Sequence, residues 1–101
     1  MRKCKITVIR KSSYQDLILK YENPIELPCD LKEGMEFISY NANIPDGFCN
    51  SAWISLYPYV FALASNAKNI HDNWMKDPNK AIVSCNDGLR PVSFLIEAID
   101  D

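Results

Sequence analysis

Glycine and histidine are scarce in this chain, with three of the first and one of the second in 101 residues. A phosphate cradle needs glycines at fixed offsets so that backbone N–H groups can close on the ligand, and no such spacing occurs. The serine nucleophile elbow, the metalloprotease helix motif and the EF-hand loop are missing as well. With His71 as its only histidine, the chain could build a cysteine–histidine dyad from that residue alone.

No surplus of positive charge is present. The formal net charge of −2 gives no general attraction to nucleic acid or anionic lipid, so neither is expected as a partner. Arg2, Lys3, Lys5, Arg10 and Lys11 crowd the first segment, while Glu97, Asp100 and Asp101 lie near its end. Such runs are read as solvated, partly complementary strand charges. The most apolar window, residues 51–65, falls short of the ~20 residues of a spanning helix and contains Pro58. The opening "MRKCKITVIRK" lacks the apolar core of an export signal, which points to a cytoplasmic protein whose four cysteines are thiols rather than disulfides. Successive cysteines are separated by 25, 20 and 36 positions, so the C-x-x-C signature of zinc fingers and thioredoxin-like sites is absent.

What remains is the composition of an ordinary globular chain, 48% hydrophobic and 24% charged, long enough for one domain over residues 1–101. Cys4, Ile6 and Val8 alternate with Lys5, Thr7 and Ile9, which predicts a strand over residues 3–10. Ser13 and Asp16 form a capping-box pattern ahead of Tyr14, Leu17, Ile18 and Tyr21, predicting a short helix over about residues 14–22 that stops before Pro24. Residues 23–33 read as a proline-rich loop carrying Cys29. Residues 35–40 read as a half-buried strand with Met35 and Phe37 inward.

Pro45, Asp46 and Gly47 form a turn, and Asn50 or Ser51 can cap the apolar helix that follows. Pro58 predicts either a kink or two abutting helices there. Residues 66–79 are polar and read as a loop. "AIVSC" and "PVSFLIEAI" around "NDGLR" predict a hairpin, with Gly88 free to adopt a conformation that other residues resist. Together these elements predict an α+β fold: a small, mainly antiparallel sheet of about four strands covered by a long apolar, Pro-interrupted helix, plus one short N-terminal helix.

Cys49, beside a helix N-terminus, is the leading candidate for chemistry, because free N–H groups and the helix dipole favour a reactive or metal-binding sulfur there. A small buried hydrophobe is its competing role. Cys29 in its loop and Cys85 at a strand end could converge with Cys49 on a thiol or soft-metal site, completed by Cys4, His71 or water. Asp46 and Asp87 are read as turn formers rather than an acid–base pair. Trp53, Tyr57, Phe61 and Trp74 could line a pocket or interface, with core packing as the alternative.

The succession "CKITV", "EGMEF", "PDGFCNSAW", "LYPYVFALA", "WMKDP" and "SCNDGLRPVSF" resembles a family of small prokaryotic proteins, frequent in anaerobes and about as long as this chain. The resemblance implies that Cys29, Gly34, Phe37, Gly47, Cys49, Leu56, Pro58, Ala62, Leu63, Cys85 and Pro91 occupy its matching positions, and it brings no assigned activity. Relatives carry a Cys-Pro pair and sometimes a histidine before the glycine matching Gly34. Here Asp30, Lys32 and Glu33 stand in that region, which argues against a histidine-assisted metal site.

The sequence therefore points to a binding or interaction module, non-enzymatic and self-associating into a homo-oligomer through the surplus apolar surface of its helix. The alternative is a soft-metal or thiol-redox protein using Cys29, Cys49 and Cys85, with a soft metal as its cofactor. A small enzyme pairing His71 with a cysteine is a third reading.

Overall fold

The structure is a computed structural model that describes residues 1–25 and 29–100. Its elements run β1 (Lys3–Lys11), α1 (Gln15–Tyr21), β2 (Glu36–Ser39), α2 (Asn50–Ala64), β3 (Lys80–Ser84) and β4 (Val92–Ile99). The strands make one antiparallel sheet in the order β2-β1-β4-β3. This is the expected α+β layout, and α2 lies across one face of the sheet.

Period-two alternation decides which side chains meet α2. Cys4, Ile6 and Val8 of β1, Ala81 of β3, and Val92, Phe94 and Ile96 of β4 are buried with Ala52, Leu56, Val60, Leu63 and Ala64 of the helix in one core. Full burial of a side chain such as Phe94 or Leu56 stabilises by about 1.5–3 kcal/mol each. The opposite sheet face carries ion pairs across all four strands. Lys5 Nζ lies 3.3 Å from Glu36 and 3.9 Å from Glu97, and Lys80 Nζ lies 3.2 Å from Glu97 and 3.9 Å from Asp77.

Several local expectations are corrected. Ile9 stays out of the core, as its place with Lys5 and Thr7 predicts, but the register of β1 on β4 shifts there, between Val8 and Arg10, in a bulge the alternation did not predict. The first helix starts at Gln15 rather than on a Ser13–Asp16 capping box, and no side chain caps it. Its start is displaced because Ser12 N–H donates to Pro91 and Tyr14 N–H to Leu89, so the chain stays extended beside β4 through Tyr14. None of its residues is buried, so Leu17 and Tyr21 form no core stripe. In β2 the inward residues are Phe37 and Ser39, while Met35 is exposed. Gly88 has no positive φ; Asp87 shapes that turn through its carboxylate. The loop expected over residues 23–33 falls partly on residues 26–28, outside the described residues.

The central helix is one element of 15 residues with Pro58 inside it, of ordinary length, and not two abutting helices. Pro58 is exposed on the outer side. The carbonyl that loses its helical N–H partner there lies on the wet side, where water can replace the bond. A Schellman motif closes the helix, with Asn66 N–H donating to Leu63 and Ala67 N–H to Ala62. Arg2 completes that end: its backbone N–H donates to Ala64 O, and its guanidinium donates to Leu63 O at 2.9 Å and Asn79 Oδ1 at 3.3 Å.

Candidate functional site

The antiparallel pairing of β3 with β4 brings the end of β3 against the start of α2. Cys85 N–H donates to Val92 O, and Asn86 Nδ2 donates to Ser51 O at 3.1 Å, fixing the β3–β4 turn on the first turn of the helix. A cavity of about 290 Å³ lies at this junction, lined by Cys29, Cys49, Ser51, Ala52, Cys85, Asn86, Asp87, Arg90 and Val92. Three thiols from distant segments thus border one space. All three are half-buried and unoxidised.

Cys49 is itself the N-cap of α2 and makes no side-chain capping hydrogen bond. The expectation that Asn50 or Ser51 caps the helix is corrected, because the helix begins one residue early and both lie inside it. The first N–H groups of α2 consequently have no side-chain acceptor from the N-cap residue, and they lend the cavity partial positive charge. Cys85 Sγ accepts the Val92 N–H at 3.2 Å, which orients that sulfur at the rim. Cys29 is tethered through its backbone, its carbonyl accepting Lys11 Nζ at 3.4 Å.

Arg90 brings the one cationic side chain of the lining, and it pairs with Glu22 just beyond α1. Asp87 Oδ1 accepts the N–H groups of Leu89 and Arg90 at 2.8 and 2.9 Å. Those two bonds, Arg90's the larger, hold the carboxyl below the usual carboxylate range.

Other candidates lie elsewhere. Cys4 is fully buried under α2, its thiol facing Val60 O at 3.8 Å. Burial pushes that thiol's pKa up, with Arg2 opposing, and Cys4 does not line the cavity. Neither does His71, whose ring packs on Tyr59 at 5.5 Å with Nε2 buried and without a hydrogen bond among the described residues. Both are therefore removed as completing ligands, and the His71–cysteine dyad is not assembled at these thiols. Asp46 lines a second cavity beside β2, so Asp46 and Asp87 are not a pair. Among the described residues no three side chains of Cys, His, Asp or Glu gather closely enough to hold a metal ion.

The aromatic candidates separate into two sets. Trp53, Tyr57 and Phe61 stack along one flank of α2 at 5.8 and 6.0 Å, and Phe48 joins them to Phe37 at 6.0 and 5.0 Å. Trp74 stands in the loop after α2, 83% exposed. Sequence reasoning missed Phe48 as the hub of this ladder and missed Asn86 and Arg90 as cavity residues. The "NDGLR" turn was legible, but only the docking of the hairpin on α2 gives those two side chains a place in the site.

No family model, curated protein or solved structure matches this chain. Its geometry is the basis for any functional reading. No described helix is long and apolar enough to cross a membrane.

Proposed function

We propose that the protein is a small binding module whose ligand site is the cavity at the start of α2, where Cys29, Cys49 and Cys85 receive a thiol-reactive small molecule. The convergence of those three cysteines on one space carries the reading. The volume lies at the lower bound for small-molecule sites, which favours a compact ligand. Cys49, the N-cap residue of α2 and free of any side-chain capping bond, is the attacking sulfur. With a small disulfide R–S–S–R′, Cys49 thiolate forms a mixed disulfide with R–S and releases R′–S⁻. Cys85 thiolate then attacks the Cys49 sulfur and expels R–S⁻, so two electrons pass from the protein to the ligand. Among the described residues no three possible ligands gather closely enough for a ready-made metal centre. Membership of the resembled prokaryotic family, cytoplasmic residence and a soft-metal role of the same sulfurs remain proposals beside it.

Labelling the reduced native chain anaerobically with a small aromatic disulfide tests the reading. Cys49 and Cys85 should end as an intramolecular disulfide with two thiols released from the reagent, and Cys4 should react only on unfolding. Cys85→Ser should stop at a mixed disulfide on Cys49 with one thiol released, and Cys49→Ser should lose the first, fast release. Uniformly slow labelling of all four cysteines would overturn the reading, and tight uptake of one zinc ion per chain, lost in Cys29→Ser, would put the soft-metal role in its place.

Self-association is a second reading, favoured by the outer face of α2. No charged residue occurs over residues 47–67, and Ile54 is 72% exposed beside the half-exposed Tyr57 and Phe61. An uncharged, largely apolar helix face of this kind suits an interface between copies.

A further inference from the structure

The second cavity lies away from the thiols, along the outer edge of β2. β2 pairs with β1 alone. Cys4 and Ile6 stand opposite Ser39 and Phe37, and the ladder continues with Val8 N–H donating to Met35 O and Gly34 N–H to Val8 O. In an antiparallel pair the bonds alternate, so Phe37 and Ser39 turn their backbone groups toward β1, while Glu36 and Ile38 turn theirs to the free edge. Among the described residues no backbone group outside the ladder bonds to Glu36 or Ile38.

Beside this edge lies a space of about 400 Å³, bordered by Glu36, Phe37 and Ile38 on one side and by Tyr40, Ile44 and Asp46 on the other. Its far wall is fixed by local bonds. Asn43 N–H donates to Tyr40 O across two residues of positive φ, Asn41 and Ala42, and Ser39 Oγ donates to Asn43 O at 2.7 Å. Phe48 N–H donates to Pro45 O and closes the next turn. The space is therefore preformed.

We propose that this groove docks an extended peptide segment of another protein by adding it to the sheet as a fifth strand, with Lys or Arg alternating with apolar residues. Backbone groups of Glu36 and Ile38 supply the hydrogen bonds of strand addition, and alternate side chains of the peptide supply selectivity. Charge decides the partner. The lining is acidic and holds no cation; Asp46 has no ion pair among the described residues, and Glu36 shares its charge with Lys5 only. Ile44 and Tyr40, both substantially exposed, offer apolar contact to the alternate positions. Two β2 residues present a short ladder, so binding is weak and reversible.

The probe is an acetylated, amidated hexapeptide of alternating lysine and valine, titrated into the full chain and followed by amide chemical shifts. Shifts should concentrate at Glu36, Ile38 and residues 43–46, and the glutamate–valine counterpart should bind at least about tenfold more weakly. Ile38→Pro removes an outward N–H and no bond to β1, a substitution that edge strands tolerate. It should weaken the lysine peptide by about tenfold or more while the chain stays folded. Should that variant fail to fold, two N-methylated peptides decide: methylation of one alternate set should abolish binding and of the other set leave it intact, because only one set faces β2. Absence of binding, equal tolerance of both methylation patterns, or dimerisation of the chain through β2 in place of peptide capture would each overturn the proposal.

Discussion

Asp87 has the clearest chemistry of any single residue. Its carboxylate accepts two backbone N–H groups in the β3–β4 turn, and those bonds hold it ionised. A folded carboxyl lowered from its ordinary value of about 3.9 contributes stability above that value and loses it as the pH falls through the folded pKa. Asp87→Ala is expected to lower stability near neutral pH by about 0.5–1 kcal/mol, a modest figure because the turn is exposed. Urea denaturation should show the gap between the two proteins narrowing below about pH 4; an unchanged gap at low pH would rule out the ionised carboxylate as its source. At this scale the sequence was half legible. The turn could be read from "NDGLR", but its conformational burden was assigned to Gly88, because the pattern does not reveal that a side chain accepts the bonds a glycine conformation would otherwise make unnecessary.

Among the elements, α2 shows how a helix end is decided by residues beyond its apolar run. Asn66, at φ 72°, occupies the left-handed position of the Schellman motif. Asparagine tolerates that conformation, and glycine adopts it without a Cβ penalty. Asn66→Gly is accordingly expected to stabilise the fold by about 0.5 kcal/mol and raise Tm by roughly 2–4 °C, measured by calorimetry. A loss of stability would mean that the asparagine side chain is needed there. The elements themselves were readable because alternation and helical spacing set burial directly. Their edges were not: Tyr14 is drawn into the sheet margin by Leu89, and Cys49 becomes the N-cap because the turn through Gly47 delivers it there. The first outcome depends on a contact between segments far apart in sequence, as does the bulge at Ile9, and the second on the exact course of a local turn.

For the molecule as a whole, the two outer faces differ in kind. The sheet face away from α2 is laced with Glu36, Lys5, Glu97, Lys80 and Asp77, whereas the outer side of α2 has no charge. Solvation suits the first and disfavours the second, so copies of the chain should meet through α2. Sedimentation across the micromolar range should reveal a reversible oligomer, and Phe61→Lys should weaken its dissociation constant by about tenfold or more. A monomer at every concentration would end the self-association reading. The convergence of Cys29, Cys49 and Cys85 also belongs to this scale. Their spacing allowed it, but strand order decides it, and strand order is not written in local periodicity.

The central pair of the sheet joins Lys3 to Ile99, so β1 has its principal neighbour in a strand far from it in sequence. During synthesis β1 emerges long before β4, and in the interval Cys4, Ile6 and Val8 can lean on the four-residue β2 and on α2 but lack their main strand partner. The sheet can close only through contacts this far apart in sequence, which makes slow, late-committing folding the natural consequence of this topology.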